Sequence, residues 1–205
     1  MHIALFGATG GTGNQIAQQA LDAGHSLSVL VRDRSKLDLA HADLTVVTGD
    51  VLNQDDVART LSSADAVIVS LGQTPGNPTD IVSQGTANVI HAMQAQGVRR
   101  LLVITSLGVG DSRRQVPFTF KIAAATFLRG RLRDKEKQEE LVRASDLDWT
   151  IIRPGGLTDG PPTGQYTVGL DKSLKAGRVA RADVAAFVLQ QLQDTTYLRA
   201  APAIT

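Results

Sequence analysis

Short apolar runs rich in β-branched residues alternate along this chain with longer segments whose apolar positions recur at helical spacing. Ile3–Phe6 reads as a strand and Gly11–Ala23 as a helix stopped by Gly24. Leu27–Val31 and Leu44–Thr48 follow as strands. Asp55–Leu61 predicts a short helix, Ala66–Ser70 a fourth strand, and Thr79–Gln96 a long helix closed by Gly97. Leu101–Thr105 reads as a fifth strand. A helix is predicted from about Ile122 to Ala144, and Trp149–Ile152 gives a sixth strand. Several of the strand runs lack polar alternation, as strands do when helices cover both faces of a sheet. The repetition predicts an α/β fold: a Rossmann-like, doubly wound parallel sheet in three α/β/α layers.

Beyond Arg153 the rhythm breaks. Pro154, Gly155, Gly156, Gly160, Pro161, Pro162 and Gly164 interrupt regular structure, so this stretch reads as an ordered loop over the sheet's edge. Arg181–Gln193 is a last helix and Tyr197–Ile204 a last strand. No repeat or linker divides the 205 residues, so one domain is expected, with substrate-side loops at about 106–121 and 154–180.

The segment Gly7-Ala8-Thr9-Gly10-Gly11-Thr12-Gly13 spaces Gly7, Gly10 and Gly13 three apart, between the first strand and the first helix. The first permits a sharp turn, the second lets a pyrophosphate approach bare backbone, and the third lets the helix pack against the sheet. Amides at the helix start then face anionic phosphates. The second strand ends Val31-Arg32-Asp33-Arg34. A carboxylate at a strand end accepts bonds from the ribose hydroxyls of NAD, whereas Arg32, with Lys36 or Arg34 nearby, faces the 2′-phosphate of NADPH. NADPH is the expected cofactor, and Asp33 is the residue that would restore an NAD-like acid. Asp50 and Val51 follow the third strand, where a carboxylate reaches the adenine amino group. Leu71 and Gly72 follow the fourth, along the middle of the cofactor.

The charge balance of +1, with both signs interspersed, argues against nucleic-acid or anionic-membrane partners. Without cysteine there is no disulfide, thiolate metal site or cysteine nucleophile. The four histidines show no ligand spacing, so no metal is expected. No apolar stretch approaches the ~18 residues of a membrane span, and a cytoplasmic protein is expected.

These motifs resemble the atypical short-chain dehydrogenase/reductase group with an NAD(P)-binding domain. Within it they most resemble the NADPH-dependent flavin reductases of the biliverdin reductase B type. The resemblance rests on Phe6–Gly10 with Thr12-Gly13, Val29–Asp33, Gly49–Leu52, Asp65–Val69, Thr105-Ser106 and Thr163–Val168. It implies hydride transfer from NADPH to a flavin such as FMN, riboflavin or FAD, or to a linear tetrapyrrole such as biliverdin, by a protein that is often monomeric. It further implies that Thr9 to Gly13, Arg32, Lys36, Asp50, Val51, Leu71 and Gly72 hold the cofactor. Thr105, Ser106 and Pro154 would lie beside the nicotinamide and acceptor. Two positions depart from the mammalian pattern: Gly156 and Glu139 stand where those proteins carry histidines.

Ordinary short-chain dehydrogenases place a tyrosine four residues before a lysine. Here Leu170 and Ala201 stand four beyond Tyr166 and Tyr197, and Arg131 stands four before Lys135. Lys135 reads equally as a surface lysine or a catalytic one. A conjugated acceptor relaxes the need for an acid, because it delocalises the arriving charge. Ser106 and Thr105 are then the candidate catalytic side chains. Arg113, Arg114 and Arg178 are candidates for a flavin phosphate or propionates, and Phe118 and Phe120 for the pocket wall. The alternative reading is a non-catalytic NADPH sensor of the same fold; an isomerase or dehydratase would need an acid–base pair that is not evident.

Overall fold

The sheet strands are short and apolar, helices follow most of them, and the sheet forms as that pattern demands. In the computed structural model, residues 1–74, 76–117, 126 and 128–205 are described. Strands β1 (His2–Phe6), β2 (Ser26–Val31), β3 (Leu44–Thr48), β4 (Ala66–Val69), β5 (Arg100–Ile104) and β6 (Asp148–Pro154) pair in parallel in the order β3-β2-β1-β4-β5-β6. That is the doubly wound order, whose direction reverses between β1 and β4 and opens a crevice there.

Alternate residues of each strand enter opposite layers. Ile3 and Leu5 face α1 (Gly11–Asp22) and a last helix, α5 (Arg181–Gln190), where Ile16, Ala20, Val184 and Phe187 are buried. Ala4 and Phe6 face α2 (Gln54–Thr60) and α3 (Ile81–Gln96), with Val57, Val89 and Met93. Both faces are covered, which is why the strands could dispense with polar alternation. Helix α3 stops at Gly97, whose left-handed φ of +73° suits glycine.

Four expectations needed correction. The helix expected from about Ile122 is seen as α4 (Arg129–Ala144); Thr126 and Leu128 lie in turns, and residues 122–125 and 127 fall outside the described residues. Helix α3 starts at Ile81, not Thr79, because Asp134 of α4 accepts the Val82 and Ser83 amides at 3.0 and 2.9 Å and caps that end. The stretch after Arg153 is more than loop. Strand β7 (Gly156–Thr158) pairs in parallel with β9 (Arg178–Ala180), and β8 (Val168–Gly169) lies antiparallel to β10 (Ala203–Ile204). The last strand is much shorter than Tyr197–Ile204: Arg199 takes a φ of +52°, Ala200 meets β6 through an isolated bridge to Thr150, and the ladder with β6 is formed by Ala203 and Ile204.

Candidate functional site

The carboxyl ends of β1, β2, β4 and β5 open into a cleft of about 580 Å³, within the range of small-molecule sites. Its floor is the phosphate turn, and Gly7, Thr9, Gly10, Gly11 and Thr12 all line it. Gly7 has a φ of +95°, and a Cβ there would lie 2.4 Å from the Ser70 carbonyl oxygen. Gly13 is not in the wall. A Cβ on it would stand 2.0 Å from the Gly7 oxygen, so its role is to let α1 abut the turn. Gly10 has nothing nearer than 3.5 Å and Gly72 nothing within 4 Å of such a Cβ, so both present bare backbone to the cleft. The α1 start has no side-chain cap, and its first amides have no intrahelical partner. This cradle fits a dinucleotide's pyrophosphate.

On the adenosine side, Arg32 and Val51 line the cleft. The Arg32 Nη1 donates to Oδ1 of Asn77, a residue of the β4–α3 connection. Asp33 points elsewhere: Oδ1 accepts the Ser35 amide at 3.0 Å and the Ser35 hydroxyl at 2.6 Å, which holds its carboxyl below the usual range. Lys36 is exposed on the short turn Arg34–Lys36 and does not line the cleft. Nor does Asp50, whose Oδ1 accepts the Leu52 amide at 2.9 Å and shapes the loop after β3.

Leu71, Gly72, Thr105 and Ser106 form the far side with Leu157 and Lys135. Pro154 does not; its carbonyl accepts the Leu107 amide at 2.9 Å and ties β6 to the loop beyond β5. Ser106 is half-buried and its hydroxyl donates to the Leu107 carbonyl at 2.9 Å, leaving its oxygen free to accept. The Thr105 hydroxyl donates to Glu139 Oε1 at 2.8 Å. Glu139, one of the two departures noted above, is buried and meets Arg153 through Nε at 2.9 Å and Nη2 at 2.5 Å. Burial opposes the charge of Arg153, but hydrogen bonds to Glu139 and then Asp111 overcome it and raise its affinity for the proton. Glu139 therefore anchors Thr105 from behind and does not reach the acceptor side.

Lys135, which the sequence left open between the surface and the site, belongs to the cleft. It sits in the cleft wall with Nζ 3.3 Å from the Thr105 carbonyl and 3.5 Å from that of Ile104. Burial pushes its ammonium down to about 8, against the pull of Glu139 and Asp134. Neither tyrosine joins it: Tyr166 and Tyr197 pack edge-on against Phe187, at 6.4 and 5.9 Å between ring centres. Arg113 pairs with Glu136, Arg114 and Arg178 are exposed, and none of the three lines the cleft. Phe118 and Phe120 lie outside the described residues. Sequence reasoning missed Asn77, Leu157 and Arg181, because their places in the wall depend on loops and helices far away in the chain.

The model of the NAD(P)H-binding family matches residues 7–195. The chain belongs to this NAD(P)H-binding family. An Arabidopsis thaliana relative, the uncharacterised chloroplastic protein At2g34460, is 30% identical over 92% of this chain and 70% of its own. A Bacillus subtilis relative, described as the uncharacterised sugar epimerase YhfK, is 28% identical over 95% of this chain and 89% of its own. Among solved structures, the anaerobilin reductase ChuY of Escherichia coli O157:H7 superposes with a TM-score of 0.85 at 28% identity, covering 100% of this chain and 96% of that one. The resemblance to atypical short-chain dehydrogenase/reductase proteins therefore holds over the whole family domain, and the protein is NAD(P)H-dependent oxidoreductase-like in fold and cofactor site. Among the described residues no helix is long and apolar enough to cross a membrane.

Proposed function

We propose that this protein is an NADPH-dependent reductase acting as a monomer on a conjugated small molecule, a linear tetrapyrrole in the first instance and a flavin such as FMN in the second. The observation that carries the reading is the far wall of the cleft: Ser106 and Lys135 stand there with no tyrosine beside them. Reduction of a simple ketone needs an acid at the nascent alkoxide. An extended π system spreads the arriving charge and needs only a hydrogen bond or a slow proton. The full-length similarity to the anaerobilin reductase ChuY supports the tetrapyrrole class.

The reduced nicotinamide supplies the hydride when bound. The chain's own residues do the rest. The turn from Gly7 to Thr12 seats the phosphates, and Thr105, held by Glu139, keeps the floor beside the reacting face fixed. Lys135 holds a proton at Nζ within reach of that face. Preference for NADPH follows from Arg32 in the cleft wall and from the turning-away of Asp33 towards Ser35. A cytoplasmic setting completes the reading.

The test is turnover with NADPH and with NADH against biliverdin, FMN and a simple ketone, read from loss of reduced-nicotinamide absorbance. Conjugated acceptors are reduced and the ketone is not. Tight binding of NADPH without oxidation in the presence of any acceptor would make the protein a sensor instead. A preference for NADH would remove the role given to Arg32.

A further inference from the structure

Gly11 is not one of the three glycines required by the spacing of the phosphate turn, yet a Cβ on it would lie 2.9 Å from both Cδ and Nε of Arg181. The missing side chain makes room for that arginine. Arg181 opens α5, crosses over the first residue of α1, and divides the main cleft from a neighbouring cavity of about 320 Å³ that reaches Asn14, Gln15 and Asp159. Its place runs against helix electrostatics, because the amino end of a helix carries partial positive charge and disfavours a cation. The uncapped start of α1 adds a second positive end directly beneath it. Asp183, in the first turn of α5, does not relieve this crowding: its oxygens accept the Thr163 and Gly164 amides at 2.8 and 2.9 Å and the Thr163 hydroxyl at 2.7 Å. The partner that Arg181 does have is Asp159, with Nη1 to Oδ1 at 2.5 Å, and that carboxylate is 89% exposed. So solvated a partner is weakly held and easily exchanged.

We propose that Arg181 is a clasp for the dinucleotide's pyrophosphate, kept over Gly11 by Asp159 until the diphosphate displaces that carboxylate. A diphosphate offers more negative charge and oxygens that match the planar fork of a guanidinium. The exchange needs little motion, because Cδ and Nε already lie over the turn and only the guanidinium head has to swing from Asp159 into the cleft. The inference rests on the dinucleotide part of the reading above and not on the identity of the acceptor.

Titration calorimetry on the whole chain tests it, with NADP⁺ as one ligand and adenosine 2′-monophosphate, which lacks the diphosphate, as the other. Arg181→Gln weakens NADP⁺ about tenfold and leaves the monophosphate within about twofold of wild type. Arg181→Lys recovers only part of the loss, since an ammonium cannot form the fork. Asp159→Asn tightens NADP⁺ about two- to fivefold at low ionic strength, and the gain disappears in high salt and in the double variant. Thermal midpoints without nucleotide stay together, which separates a lost clasp from a damaged fold. Equal NADP⁺ affinity in wild type and Arg181→Gln, or equal loss for both ligands, overturns the clasp, as does weaker NADP⁺ binding by Asp159→Asn. Wild type that binds NADP⁺ with these differences but reduces no acceptor refutes the reductase reading alone; failure to bind NADP⁺ at all refutes both.

Discussion

Replacing Lys135 by methionine should make this protein more stable while making it a poorer reductase. Burial lowers the Lys135 ammonium from 10.5 to about 8. Below that range the folded protein carries a charge it would rather shed, while the unfolded chain carries the same charge freely in water. A lowering of this size corresponds to about 3 kcal/mol of lost stability at neutral pH. Because the unfolded state binds more protons between about 8 and 10.5, wild-type stability should rise with pH across that window. Methionine is similar in length and neutral. The change leaves Glu139 bonded to Arg153 and Asp134 bonded to the start of α3. It forfeits the contacts to the Thr105 and Ile104 carbonyls, at 3.3 and 3.5 Å, worth about 1 kcal/mol together at most. The net expectation is a gain of about 2 kcal/mol at neutral pH, read by urea unfolding. Unfolding repeated at rising pH supplies the sharper check, because other lysines and tyrosines titrate alike in both proteins and cancel in the difference. The advantage of Lys135→Met should vanish within the window and give way, above it, to a deficit of at most about 1 kcal/mol from the lost contacts. A variant less stable than wild type at neutral pH, or a difference that does not change with pH, would refute the buried-charge argument. Turnover should fall in the variant, and in wild type it should decline above about pH 8 as Nζ loses its proton.

Arg32→Glu should invert the nucleotide preference, lowering kcat/KM for NADPH by about a hundredfold while changing that for NADH little, because it sets a carboxylate against the 2′-phosphate; steady-state rates with both nucleotides decide it. Glu139→Ala strips buried Arg153 of its bidentate partner, leaving it the more exposed Asp111 at 2.7 Å, and frees the Thr105 hydroxyl. It should cost about 3 kcal/mol in chemical denaturation, and a loss below about 1 kcal/mol would rule the argument out. Gly13→Ala puts a methyl 2.0 Å from the Gly7 carbonyl oxygen. Backbone must then move, so nucleotide affinity and thermal midpoint should fall together, and a well-folded variant with wild-type affinity would show that the close approach is unnecessary.

Much of this molecule was legible in its sequence, for a local reason. The glycine turn, the apolar strands and the helix stops at Gly24 and Gly97 are specified by residues a few positions apart, and the structure follows them from Ile3 to Ile152. Arg32 at the end of β2 was legible too, since the residue after a strand in this topology faces the crevice. Where local signals compete with distant partners, the sequence fell silent or misled. Asp50, Lys36 and Pro154 have the right types at the right positions, but Asp50 bonds to its own loop, Lys36 faces solvent, and Pro154 holds the loop beyond β5. Glu139 looked like an altered substrate-side residue until Arg153 appeared beside it. Lys135 read equally well as a surface lysine, because nothing near it in the chain announces that α4 will press it against the end of β5. The strand–turn–helix that seats phosphate is built from neighbours and could be read from neighbours. The cations that surround it take their positions from packing between segments far apart in the chain, and only the assembled layers could decide which of them face the cleft.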